Sequence, residues 1–530
     1  MLLSRSRLDD FEDAVIIAIM QNEYDVVVLG GSLAGSSAAL LLKRDMPHLR
    51  VALVERCDHF SRRVGEATVE VSGYFVSRVL GLTHHLNEYH LNKQGMRFWF
   101  ANEQTQTLAD ASEIGGRYQV RLPSWQLDRS VFDEEVIARA KAAGVDLLRP
   151  AQFTDATLVP GGMQTVTIKE DGATRELTTR WIIDASGIAC FLARRNGWWQ
   201  RNTGHPTASA WTRWRGVKDW DGLELAEKFP QWAAAPHTIR HTATNHIVGD
   251  GWWSWWIPLK GGDMSIGVVM DQRLVDWPEQ GGTIPEKMRA FLSQHPVAKE
   301  MLEHAEPVDG DAHWRKNLAY FSTTFCGDGF SLVGDAAAFM DPLYSPGMDW
   351  ISFTVSATVE LIKKQQAGEA MDDPVAAHNA AFSQSYARWF EAIYKDKYEY
   401  LGDFELVNLA FRLDLGLYYL GIVSQPFKFG RDGLLVPPFA SPKSDFAWHL
   451  MRTYNRRIAA IARERRQRGV LGKQNTGRRM LIPGFTLDPK DGKIVVKLLL
   501  EWLGLELREG WRSWWKTAPS TQPVAELKTA

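Results

Sequence analysis

Residues 24–55 restrict the fold more than any other part of the chain. Tyr24-Asp25-Val26-Val27-Val28-Leu29 is an apolar, β-rich run. It is followed by Gly30-Gly31-Ser32-Leu33-Ala34-Gly35, then by Ser36–Ala39 and Leu40–Lys43. This reads as a strand, a tight glycine turn and a helix. A second apolar strand, Val51–Val54, ends at Glu55, at the distance where a carboxylate takes a ribose hydroxyl. The helix N-terminus would hold a pyrophosphate through its backbone N–H groups and its dipole. The expected cofactor contacts are Gly30, Gly31, Ser32, Ala34, Gly35 and Glu55. Ser32 stands where the second glycine of G-x-G-x-x-G belongs. The competing reading is a glycine turn in an unrelated α/β fold.

A second constraint is Trp252-Trp253-Ser254-Trp255-Trp256-Ile257-Pro258, four tryptophans within five residues. Strand alternation puts Trp253 and Trp255 on one face and Trp252, Ser254 and Trp256 on the other, and Pro258 ends the pairing. Rigid bulk on both faces suits a strand buried from both sides or a wall between two compartments. At 530 residues and 45% hydrophobic, the chain has enough apolar material for two or three domains. A net charge of −2 gives no electrostatic reason to expect nucleic acid. Cys57, Cys190 and Cys326 share no metal-ligand or pairing pattern, so no metal site and a reduced, cytoplasmic protein are expected. Asp9, Asp10, Glu12 and Asp13 argue against a signal peptide. No run of about eighteen apolar residues announces a transmembrane helix.

Two more segments decide between dinucleotides. Asp128-Arg129-Ser130-Val131-Phe132-Asp133 opens a helix, and Gly334-Asp335-Ala336-Ala337 follows an apolar strand. This D-R-x-x-F-D and G-D-A-A pair resembles the FAD-binding proteins of the aromatic hydroxylase fold. The turn Asp184-Ala185-Ser186-Gly187 is similar to the D-A-S-G turn of the same superfamily. The resemblance implies FAD, with Arg129, Gly334 and Asp335 among its contacts. No second strand–glycine–helix unit provides a nicotinamide domain.

Within that superfamily the chain resembles the flavin-dependent, tryptophan-type halogenases. Arg63-Val64-Gly65-Glu66-Ala67-Thr68 is similar to their G-E-[SA]-[TA] segment, and Trp253-x-Trp255-x-Ile257-Pro258 matches their W-x-W-x-I-P signature. Asp341-Pro342-Leu343-Tyr344-Ser345-Pro346-Gly347 is similar to their D-P-x-x-S-x-G segment. Lys93-Gln94-Gly95-Met96-Arg97-Phe98 is similar to the K-x-G-x-x-F strand of the branch acting on phenols and pyrroles.

The resemblance implies an enzyme of secondary metabolism in which reduced FAD, O₂ and chloride or bromide yield hypohalous acid. That acid halogenates a small electron-rich aromatic, free or tethered to a carrier protein. A separate flavin reductase would supply reduced FAD. By this carry-over Lys93 is the catalytic lysine. Tyr344 and Glu66 are further catalytic candidates, which along with Asp349 would handle protons in a non-halogenating relative, and Arg63, Pro342 and Gly347 contact the flavin. Ser345 and Gly347 hold the halide, and Trp253, Trp255, Ile257 and Pro258 keep substrate from flavin.

Departures from the pattern qualify this reading. Pro346 stands where the family uses a peptide N–H for the halide, and proline has none. At the first helical position that loss costs the helix nothing. Tyr344 replaces the glutamate of tryptophan-specific members, which argues against free tryptophan as substrate. Glu70 stands where proline is usual. Asp349 either repels a halide or caps its helix. The alternative function is a non-halogenating flavin monooxygenase or oxidoreductase on the same scaffold, with Pro346 marking a lost halide site.

The fold class expected is α/β: a Rossmann-like FAD domain of the aromatic hydroxylase type, an antiparallel β-sheet substrate domain and a C-terminal helical region. The FAD domain is discontinuous, 23–190 and 310–365, with 80–125 contributing substrate-side strands. The β-rich substrate domain covers 191–309 and the helical region 366–518. Residues 1–22 read as an N-terminal extension and 519–530 as a disordered tail. The helical region reads as a brace for the core rather than a lid. Arg452, Arg456, Arg457, Arg463, Arg465, Arg466 and Arg468 read as a solvated helix face. Ile494–Leu507 reads as an amphipathic helix packed on the body or on a second subunit, with membrane-surface contact the less favoured reading. Monomer and homodimer both fit the sequence.

Overall fold

The computed structural model describes residues 22–278 and 281–515. The segments read as an N-terminal extension and a C-terminal tail, apart from Asn22, lie outside the described residues.

The strand Glu23–Leu29 runs at the centre of the first sheet, buried along nearly its whole length. It pairs in parallel with Val51–Val54 on one side and with Ala173–Asp184 on the other. Asp146–Leu148 and Phe330–Leu332 extend the parallel order outward. Apolar runs such as Val26–Leu29 are what a strand covered on both faces requires. The helix Leu33–Asp45 leaves the glycine turn and packs beside Arg129–Ala142 and Pro346–Gln366. All three helices therefore begin at the same end of the sheet, where the loops gather.

The second sheet has nine strands. Its centre is antiparallel: Thr207–Arg215, Met264–Asp271, Trp252–Pro258 and Thr244–Gly249. Thr244–Gly249 then pairs in parallel with Met96–Phe100, which is antiparallel to Ser112–Gly116. The last strand is Arg479–Ile482, parallel to Ser112–Gly116. The region read as mostly helical thus contributes one strand to this sheet. Its short Arg-Met-Leu-Ile run carries too little periodicity to announce a strand by itself.

The tryptophan strand divides two hydrophobic cores. Trp253, Trp255 and Ile257 pack into the core that includes the FAD-side sheet and the C-terminal helices. Trp256 belongs to a second core with Trp99, Trp214, Trp220 and Trp232, and Trp252 packs on its edge. The face assignment follows the alternation read from the sequence, and Pro258 ends the strand. The chain then turns back at Leu259, whose N–H donates to the Asp263 carbonyl.

The C-terminal third differs from the sequence reading in three ways. First, Phe404–Leu434 is long and apolar enough to cross a membrane. It nevertheless packs against the body and carries Asp414, buried with Lys397 at 2.6 Å. It is a core element. Second, the arginine-rich helix Asp445–Gln467 is not a solvated face. Arg465 binds Asp403, Glu405 and Glu509, Arg466 binds Asp250 and Glu399, and Arg457 binds Glu506. The sequence showed only Glu464 in opposition because the true partners lie up to 216 residues away. Third, these helices do more than brace the core, as the cavities below show. The helix Gly492–Arg508 is amphipathic as read: Val495, Leu498 and Leu505 are buried, while Val496, Leu500, Leu503 and Leu507 form an exposed stripe.

Candidate active site

The glycine turn is held by contacts that leave no room for side chains. A Cβ on Gly30 would lie 2.5 Å from the Ala185 carbonyl oxygen, and one on Gly35 would lie 1.8 Å from the Gly30 oxygen. Gly30 also has φ +104°, outside what other residues readily adopt. Glu55 accepts from the Gly31 N–H at 2.8 Å, which fixes the acid beside the turn. Ser32 precedes the helix but does not cap it; its hydroxyl donates to Asp133 at 2.6 Å. The first-turn amides, including Ala34 and Gly35, are therefore left for an anion.

Arg129 ties the motifs together. It donates to both oxygens of Asp133, to the Gly65 carbonyl and to Ser32 Oγ. Arg63, stacked over Phe60 and 3.8 Å from Asp133, stays partly exposed at the mouth of the turn. On the far side Gly334, at φ +57°, opens the turn that presents Asp335. Burial pushes the Asp335 carboxyl up to about 6, against the pull of Arg129 and Arg315. A free helix start, a fixed acid at the second strand, an exposed cation and a second acid fit the phosphates and hydroxyls of FAD. Asp184 is structural: it accepts from the N–H groups of Ser186 and Leu192.

Glu66 lies apart from the other two catalytic candidates. It accepts from Arg213 at 2.8 Å, and Arg213 also holds Asp128. Burial raises the Glu66 carboxyl to about 7, with Arg213 opposing. Glu66 lines a small cleft with Arg63, Trp211 and Ser265, and neither of the cavities lined by Lys93 and Tyr344.

The loop Asp341–Gly347 carries the strain. Tyr344 and Ser345 both sit in the left-handed region, at φ +67° and +56°. Each such residue costs about 1–3 kcal/mol. The anchor is Asp341, which accepts from the Leu343 N–H and lies 2.7 Å from His205 and 2.9 Å from the Tyr398 hydroxyl. The helix Pro346–Gln366 starts at Pro346 itself, at the first helical position as expected. The Ser345 N–H is already given to the Pro342 carbonyl, so only its hydroxyl is available to an anion. A Cβ on Gly347 would meet nothing within 4 Å. Its amide lies in the first helical turn, where no intrahelical acceptor exists.

The tryptophan wall is bonded to this loop. Trp253 Nε1 donates to the Tyr398 hydroxyl at 2.9 Å, and Tyr398 donates to Asp341. Trp255 Nε1 reaches Ser265 at 3.3 Å. Sequence reasoning missed Tyr398 and His205, because neither stands in a motif. Asp349 neither caps its own helix nor stands free. It accepts from the Ser72 N–H and the Tyr418 hydroxyl, both at 2.9 Å.

Lys93 is buried, and its ammonium donates to the Thr68 carbonyl at 2.8 Å. Burial lowers it to about 8, against the pull of Glu70 and Asp349. It sits just before Gly95, at φ +74°, and the strand Met96–Phe100. Two cavities meet here. The first is lined by Tyr344, Pro346, Asp349, Tyr394 and Tyr418, with Phe439 and Met451 from the C-terminal region. The second is lined by Lys93, Gly95, Tyr118, Arg121, Tyr419 and Phe485. The helices read as a brace thus wall the space beside the loop.

Asp349 has a consequence for stability. Burial raises its carboxyl to about 7, with the Tyr418 and Ser72 hydrogen bonds opposing. The folded chain holds the proton while the unfolded chain has lost it. Stability therefore falls as pH rises from the ordinary aspartate value, about 4, to about 7, and is level above. Asp349→Asn should remove that slope. The difference in urea midpoint between variant and wild type is expected to move in the variant's favour across this window. A difference that stays constant would show that the carboxyl is already ionised in the fold.

Residues 25–250 match the family model for FAD dependent oxidoreductases. Flavin-dependent halogenase chlA from Dictyostelium discoideum is 29% identical over 66% of this chain and 62% of its own length. A brominase of 1H-pyrrole-2-carbonyl-peptidyl-carrier protein from Pseudoalteromonas luteoviolacea is 24% identical over 67% of this chain and 81% of its own.

By sequence the chain is similar to the flavin-dependent halogenases.

The alignment spans 62% of the Dictyostelium halogenase and 61% of halogenase armH5 from Armillaria mellea. The fold agrees over a longer stretch. The crystal structure of halogenase PltM superposes with a TM-score of 0.72 at 18% identity, covering 91% of this chain and 97% of that one. A further PltM structure holds phloroglucinol and FAD. The C-terminal helices are therefore part of the fold shared with that structure, although the motifs that carried the resemblance, from Gly30 to Gly347, all precede them.

Proposed function

We propose that this chain is an FAD-dependent halogenase of a phenolic or pyrrole-like aromatic, free or carrier-tethered. Chloride or bromide would be the co-substrate, and a separate flavin reductase would supply reduced FAD. The observation that carries the reading is the shared wall of two adjoining cavities, one lined by buried Lys93 and the other by Tyr344 and Pro346 of the strained loop. The relatives support it, as they are named as halogenases and a brominase. They favour it over a non-halogenating monooxygenase.

When bound, reduced FAD supplies the O₂ chemistry that oxidises halide to hypohalous acid. The chain's own residues then divide the remaining work. The Ser345 hydroxyl and the Gly347 amide receive the halide at the helix start, where the dipole favours an anion. The Lys93 ammonium donates a hydrogen bond to the oxygen of hypohalous acid, placing the halogen toward the ring. Substitution consumes hypohalous acid and a ring C–H, and yields a C–X bond and water. Trp253, Trp255, Ile257 and Pro258 stand as the partition between ring and flavin.

Incubation with reduced flavin, O₂, bromide and an electron-rich phenol tests this directly. Brominated phenol in a yield that follows bromide concentration is the expected result. Hydroxylated product indifferent to halide would overturn it.

The halide loop makes a separate prediction. Pro346→Ser restores one N–H at the helix start. A hydrogen bond to a charged group contributes about 1.5–3 kcal/mol, so the KM for bromide should fall about tenfold or more. An unchanged KM would show that this amide does not face the halide.

A further inference from the structure

The two cavities share a wall made of Val69, Glu70, Met96, Phe411 and Leu415. Four of these residues are apolar, and Glu70 is the exception. A carboxylate set alone in an apolar wall is costly to desolvate and fixes the orientation of whatever binds there. Glu70 is the first residue of the short helix Glu70–Tyr74, so its position follows the backbone. Tyr419 donates to its Oε1 at 2.6 Å, holding the side chain in place. The lining of the first cavity adds two further carboxylates, Asp349 and Asp414, and no lysine or arginine. Asp414 is matched from behind by Lys397 at 2.6 Å, and Asp349 by the Tyr418 hydroxyl. Glu70 has the Tyr419 hydroxyl and, at longer range, the Lys93 ammonium across the second cavity.

We propose that Glu70 determines substrate specificity by accepting a hydrogen bond from a hydroxyl on an aromatic ring bound across the junction. Such a pocket selects neutral hydroxyaromatics, repels rings bearing a free carboxylate, and turns one ring edge toward Lys93. The inference rests on the substrate reading above, but its test is a binding measurement and does not depend on turnover.

The FAD-loaded, full-length protein is titrated with resorcinol and with its dimethyl ether, which keeps the ring and loses both donors. Wild type is expected to bind resorcinol at least about tenfold more tightly than the ether. Glu70→Ala should bring the two affinities together, and Glu70→Gln, still an acceptor but neutral, should fall between. Glu70→Pro guards against misfolding. Val69 is already extended, and position 70 is the first of its helix, where proline is accommodated. Glu70→Pro should match Glu70→Ala. A parallel loss for both probes would reduce Glu70 to a structural part and overturn the proposal. So would an unchanged ratio, or no binding of resorcinol to wild type. Retained preference for resorcinol without any halide-dependent product would retire the halogenation reading alone.

Discussion

Lys93→Met is expected to lower halogenated product by at least about a hundredfold, the lower end of what a positioned proton donor contributes. Methionine keeps the unbranched stem that fills the site between Thr68 and Ser124, so packing should survive. The wild-type lysine is a desolvated cation whose ammonium donates to a backbone carbonyl. Removing it should leave FAD binding and the unfolding midpoint near wild type, which separates chemistry from folding. The pH dependence of wild type has a defined sign. Burial lowers the ammonium to about 8. If the ammonium is the donor, turnover falls as pH rises through about 8, while FAD binding does not. Product analysis across pH checks this; a rate that climbs through that value would assign the work to the neutral amine.

The largest effect on stability is expected behind the lysine strand. Glu113 is fully buried between two fully buried guanidiniums, Arg97 and Arg240. Arg97 donates to one of its oxygens, and Arg240 donates to both at 3.0 Å. Burial alone would push the Glu113 carboxyl up, but the two arginines hold it below the usual carboxylate range. Glu113→Ala would strand two cations away from water. Breaking a buried pair by removing one partner costs about 3–5 kcal/mol. Urea unfolding should show a loss of this size, and Glu113→Gln a smaller one. A change under about 1 kcal/mol would mean that water reaches the site. Because Arg97 lies on the strand that follows Lys93, activity should decline along with stability.

The FAD-side sheet was legible in the sequence, since its determinants are local. An apolar run, a glycine turn and a terminal acid lie within residues 24–55, and each fell where the structure has it. The tryptophan strand was equally legible, because alternation alone assigns its faces. What sequence could not give was the pairing of distant charges. Five of the seven arginines, Arg457, Arg463, Arg465, Arg466 and Arg468, looked solvated because Asp250, Glu399, Asp403, Glu405, Glu506 and Glu509 approach only through the fold. The cavity walls were hidden for the same reason: Tyr394, Tyr418 and Met451 are ordinary helix residues until packing turns them inward. Asp349 was read against its own helix, but its partners lie at Ser72 and Tyr418. Glu66, singled out by motif, faces Arg213 rather than the space beside Lys93.

The strand Arg479–Ile482 closes the edge of the sheet that carries Lys93. During synthesis it leaves the ribosome more than 360 residues after its partner, Ser112–Gly116. Until then that partner presents a bare row of backbone donors and acceptors, a template for any passing strand. The nascent chain therefore adds more than 360 residues with this sheet unfinished, and the strand Arg479–Ile482 decides whether that edge is closed by its own chain or by a stranger's.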